Sequence, residues 1–155
     1  MNDNNQNSAY GRFFAMIGTS TAIMFGLMYL NTYAVDHLFF SETRFYMTFV
    51  MGAVMAVVML TFMLGMYNNK SVNTAIYVGS ALVFAVALWL VRSQETVQDV
   101  SWMKAMIPHH SIAILTSERA EITDPRVQEL ANSIIEAQRR EIGEMKALIA
   151  DLEAR

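Results

Sequence analysis

Three long stretches of this 155-residue chain carry no Asp, Glu, Lys or Arg: residues 13–35, 45–67 and 72–91. They run for 23, 23 and 20 residues. A helix rises about 1.5 Å per residue and a bilayer core is about 30 Å thick, so each stretch is long enough to cross. Few soluble folds bury three such runs in a chain this short, and the overall composition agrees: 54% hydrophobic and 16% charged. Three transmembrane helices are therefore expected. The first is not read as a cleavable signal, because Arg12 is the one basic residue before it and no A-x-A site follows. Residues 1–12, polar and Asn-rich at their start, are expected to form a disordered arm. The connections at 36–44 and 68–71 are short, which makes sequential helices antiparallel neighbours. The expected division is an arm at 1–12, a three-helix membrane domain at 13–92 and an extramembrane part at 93–155.

The last part changes character. Val100, Met103, Ile107, His110, Ile114 and Ser117 follow a three–four spacing, as do Val127, Leu130, Ile134, Gln138, Glu141, Met145, Leu148 and Leu152. Asp124–Pro125 between them is a helix start, an N-cap followed by proline at the first helical position. The fold class is all-α: three membrane helices, then an amphipathic helical hairpin. So small a hairpin is marginal alone, so a homo-oligomer is expected, most simply two hairpins making a four-helix bundle.

Candidate chemistry gathers in the first of these helices, in WMKAMIPHH at 102–110. On an ideal helix Met103 lies about 20° and Met106 about 40° from His110. Pro108 removes one backbone donor and allows a bend that would turn His109 toward the same face. Thioether and imidazole suit Cu(I) first and zinc second. Facing them, Gln138 and Glu141 interrupt an apolar seam near Met145. With a turn near residue 123, Met106 falls beside Glu141 and Met103 beside Met145. His109, His110, Met103, Met106 and Met145 are thus candidate metal ligands. Gln138 and Glu141 either join them or accept the second N–H of an imidazole. The same pattern also suits methionine as core filler, and that alternative stays open. His37, with Asp36 and Glu42 in the first connection, is a candidate first contact for an incoming ion. Methionines at 47, 51, 55, 59 and 63 form a ridge that serves either as packing or as a thioether ladder.

MIPHH followed about thirty residues later by QRREIGEMKALI resembles the bacterial family called domain of unknown function 305. The resemblance covers residues 98–152. It implies an exported, ferritin-like helical domain with copper-binding members, and it places His109, His110, Met103, Met106, Gln138, Glu141 and Met145 at matching positions. Where the family usually continues HHQxAxxM, this chain reads HHSIAIL, with Ser111 and Leu115.

Two functions remain in view: a membrane-anchored protein holding Cu(I) or Ag(I) for tolerance or trafficking, and a structural membrane protein that oligomerises through its hairpin. No enzyme is expected, since the chain carries no H-E-x-x-H, no E-x-x-H pair, no phosphate loop and no arguable Ser/His/Asp set. Net charge −3 without a basic patch gives no reason to expect nucleic acid. The absence of cysteine removes thiolate sites. The expected partners are the bilayer, a second copy and an unidentified recipient of metal. The expected location is the bacterial inner membrane with the hairpin in the periplasm, although positive charge is nearly balanced across the spans.

Overall fold

The computed structural model describes residues 3–155. Five α-helices follow in order: α1 Asp3–Leu27, α2 Glu42–Phe62, α3 Lys70–Ser93, α4 Asp99–Arg119 and α5 Pro125–Glu153. A 3-10 turn at Val35–His37 lies between α1 and α2. Among the described residues no strand forms, as the all-α expectation requires. The chain divides into two compact units: Met1–Leu27 with Thr43–Glu95, and Met28–Glu42 with Thr96–Arg155.

The first unit holds α1, α3 and nearly all of α2. α2 and α3 are long and apolar enough to cross a membrane. Their 21 and 24 residues reach about 32 and 36 Å. Asn69 starts α3 by accepting from the backbone N–H groups of Ser71 and Val72, filling two of the helix's orphan donors. Gln94 ends it in the left-handed region at φ 53°, its amide donating to the Val91 carbonyl at 2.7 Å.

Two expectations for α1 change. Its helix stops at Leu27, so the expected 13–35 span is helical over 15 charge-free residues, about 22 Å. The apolar residues after Leu27 belong to the other unit. The arm expected to be disordered is helical from Asp3, while Met1 and Asn2 lie outside the described residues. The reason is packing: Ala9, Tyr10 and Phe13 are buried against Ala56, Leu60, Tyr67 and Ile76. Tyr10 donates to Asn73 Oδ1 at 2.7 Å, and Asn73 Nδ2 donates to the Tyr67 carbonyl at 2.8 Å. α1 runs beside α2 over the depth of that helix. Phe13 meets Tyr67 just past one end, Thr21 lies against Gly52 midway, and Phe25 meets Phe45 at the other end. A Cβ on Gly52 would stand 2.8 Å from Thr21 Oγ1, so glycine is what permits this approach.

The second unit is the expected hairpin plus the segment Met28–Glu42, expected as the end of the first membrane span followed by a short connection. α4 and α5 pack through Met103, Ile107, Ile114, Ile142, Met145 and Ile149, all buried. Asp124 caps α5 by accepting from Arg126 N–H at 2.9 Å. Residues 126–130 of α5 are all exposed, because α5 has 29 residues against 21 in α4 and overhangs it. The pairing is therefore displaced from the one expected about residue 123. His110 meets Glu141, and Lys104 meets Glu153 at 2.5 Å. The segment Met28–Glu42 packs on the hairpin, with Phe39 against the same apolar cluster.

Candidate functional site

His110 sits near the middle of α4 with its side chain 13% exposed. Its Nδ1 lies 2.9 Å from the Met106 carbonyl oxygen, one turn back on the same helix. Its Nε2 lies 2.8 Å from Glu141 Oε2 on α5. Both ring nitrogens thus face acceptors, and a neutral imidazole carries a single N–H to offer. If Nε2–H donates to Glu141, that contact is a hydrogen bond and the Nδ1 lone pair faces the Met106 carbonyl. If Nδ1–H donates to the Met106 carbonyl, Nε2 and Glu141 stand as two acceptors 2.8 Å apart, which a cation bound by both would relieve. A ring fixed at one nitrogen by a carbonyl, with the other presented, is the usual posture of a metal-binding histidine.

The other candidates divide. Met103 and Met145 are buried inside the apolar cluster with four isoleucines, where their environment is that of core packing. Met106 is half-buried at the edge of that cluster. α4 continues as a helix through buried Pro108, and His109 is exposed on it rather than turned inward. The His109 and His110 ring centroids are 6.4 Å apart. Gln138 is half-buried and makes no side-chain hydrogen bond among the described residues. The structure therefore brings together His110, Glu141 and the backbone of Met106. Among the described residues no group of three or more His, Cys, Asp or Glu is placed to hold a metal ion.

His37, Asp36 and Glu42 do not converge on one point. His37 Nδ1 lies 2.9 Å from Ser111 Oγ, and that oxygen also accepts from the Tyr33 backbone N–H at 2.7 Å. Asp36 accepts from Lys146 at 2.6 Å, and Glu42 accepts from Ser101. Lys146 beside Asp36 holds that exposed carboxyl below its usual range. Burial, then Lys146, pushes His37 below the usual imidazole value, with Asp36 opposing. Together these contacts clasp the segment Met28–Glu42 to α4 and α5. Ser111, fully buried, is the residue that the sequence reading missed. Its signal was a hydroxyl at a seam position, four after Ile107 and three before Ile114.

Met47, Met51, Met55 and Met59 on α2 and Met63 just past its end are all half-buried, and Met59 and Met63 pack against the core of the first unit.

Residues 89–154 match the model of the family described as domain of unknown function (DUF305). An uncharacterized protein of Acanthamoeba polyphaga mimivirus is 35% identical over 69 residues, which is 43% of this chain and 45% of that protein. The chain thus spans less than half the length of that relative. No solved structure gives a significant match. The family match coincides with the end of α3 and with the hairpin, and it leaves α1 and α2 outside.

Proposed function

We propose that this chain is a membrane-anchored metal-binding protein whose hairpin holds a soft or borderline ion at His110. Copper as Cu(I) comes first and zinc second. The observation that carries the reading is His110 itself, with Nδ1 on the Met106 carbonyl and Nε2 turned to Glu141. His110 Nε2 would coordinate, the Met106 carbonyl would fix the ring, and Glu141 would stand beside the coordinating nitrogen. Met106, at the edge of the core, is the thioether closest to that role in sequence. A carboxylate beside the imidazole is harder than a thioether, which keeps zinc in view. The bound ion would be held for tolerance or handed to a recipient protein.

The membrane reading extends to all three apolar helices. α1 accompanies α2 from Phe13 to Phe25, so a membrane that takes α2 and α3 takes α1 with them. Two crossings, by α2 and α3, separate Met28–Glu42 from Thr96–Arg155. Those pieces then lie on one side, in keeping with their forming a single unit. The orientation proposed is N-terminus in the cytoplasm of a bacterium and hairpin in the periplasm.

The structural alternative draws support from Met103 and Met145, which pack as apolar filler. Metal analysis of protein purified from membranes without chelator separates the two. Copper or zinc co-purifying with wild type and absent from His110→Ala is expected, and metal-free wild-type protein would favour the structural role.

A further inference from the structure

The hairpin leaves one long face uncovered. On α5, Val127, Leu130, Leu148 and Leu152 are exposed, Leu130 by 60%, and on α4 Trp102 is 51% exposed. At 100° per residue the four α5 residues share a stripe with Glu141, and Trp102 shares a side of α4 with Met106 and His109. The segment Met28–Glu42 contacts different positions, Ser111, Lys146 and Ser101, and so does not cover this stripe. Glu141 is the single charged residue on the stripe and lies about halfway between Val127 and Leu152. His109 makes no hydrogen bond or ion pair among the described residues, and one chain gathers too few donors for a closed metal site.

We infer that a second copy of this chain covers this face about a two-fold axis, and that His109 of the second copy completes the donor set at His110 and Glu141. This rests on the metal-binding role proposed above. The face is self-complementary in charge as well as in apolarity: a carboxylate and an exposed imidazole lie near its middle, between apolar ends. A two-fold axis along or across the helices brings that middle against itself. Each Glu141 then meets imidazole, and each apolar end is covered by its counterpart. A bilayer surface fits this face less well. It would press the Glu141 carboxylate toward hydrocarbon, where its contact with His110 alone would offset the desolvation, and it would call for a Lys/Arg rim. A second copy also supplies what the site lacks.

The test uses the full chain in detergent, with Cu(I) as the probe under reducing conditions against a competing chelator. Leu148→Glu and, separately, Leu130→Glu place charge at exposed positions, and circular dichroism checks that they fold. Wild type is expected to run as two chains binding two Cu(I), one at each of the two symmetry-related sites. Both variants are expected to run as single chains. Removing a group that merely orients a ligand costs about 10–100-fold in affinity, so loss of a donor should cost at least about tenfold. His109→Ala should keep the two-chain mass and still lose affinity by about that factor. A single chain that binds Cu(I) as tightly as wild type would overturn the shared site and leave the metal reading standing. A two-chain protein that binds no copper would overturn the metal reading, and the shared site with it. Strong quenching of Trp102 by brominated lipid, in a Trp89→Phe background in nanodiscs, would assign the face to the bilayer and overturn the inference.

Discussion

Replacing Ser111 by alanine should release the segment Met28–Glu42 from the hairpin while leaving the hairpin itself folded. The hydroxyl is fully buried and serves two groups, the Tyr33 N–H at 2.7 Å and the His37 ring at 2.9 Å. Alanine removes one oxygen and leaves both without that partner. A polar group left unpaired costs about 1–3 kcal/mol. His37 can turn toward water through its 12% exposed edge, so most of the cost falls on the backbone N–H. An effect near 2 kcal/mol corresponds to roughly a 30-fold shift toward the released state. Phe39 still packs against the apolar cluster, so release is partial. Amide hydrogen exchange reads this directly, since Tyr33 exchanges by local opening. Tyr33 should exchange roughly 30-fold faster in the variant, with core amides of α5 such as Met145 unchanged. An unchanged Tyr33 rate would refute the clasp. Equal acceleration at Met145 would show that Ser111 supports the whole hairpin instead.

The same clasp should depend on pH through His37. Its value is lowered in the clasped state by burial and by Lys146, so that state binds fewer protons than the released one. Stability of the clasp is full above the released value of about 6.5 and is lost as pH falls from there through the lowered value. Limited proteolysis within residues 28–42 should accelerate between pH 7.5 and pH 5.5, and His37→Gln should flatten that profile. In the first unit, Gly52→Val drives a side chain into Thr21 and should destabilise the α1–α2 pairing by about 1–3 kcal/mol. Thr21→Ala in the same chain should recover much of the loss in detergent unfolding. A periplasm-active reporter fused after Arg155 should be active, and a reporter active in the cytoplasm alone would reverse the proposed orientation.

The two helices long and apolar enough to cross a membrane were legible because their signal is local. Charge-free runs at 45–67 and 72–91 became α2 and α3, shifted by a few residues where Asn69 caps one helix and Glu42 begins the other. α1 was misplaced at both ends for nonlocal reasons. Tyr10 is held by Asn69 and Asn73, some sixty positions away, and the residues past Leu27 belong to a segment that packs on α4 and α5 through Phe39. The seam of α4 was read nearly right at Met103, Ile107 and Ile114. That of α5 was displaced: Ala131, Ile142 and Ile149 are buried where Leu130, Glu141 and Leu148 were expected. Two apolar stripes lie side by side on that helix, and periodicity cannot choose which one faces α4. That the His/Met face of α4 meets the Glu141 face of α5 was visible as unusual residues in facing seams, but the partner was not: Met106 was expected beside Glu141, and His110 is what meets it. The division of the methionines into buried Met103 and Met145 and peripheral Met106 was not, because helical angles alone do not tell a core position from its edge.

Binding of copper at His110 is tested most directly by competition titration of the full chain with Cu(I) under reducing conditions, comparing wild type with His110→Ala. The imidazole that Met106 and Glu141 hold in place is then the one difference between the two proteins. Loss of measurable Cu(I) binding in His110→Ala, with helical content unchanged, is the predicted result. Equal binding by the two proteins would contradict it and leave His110 and Glu141 as a half-buried polar contact in a structural hairpin.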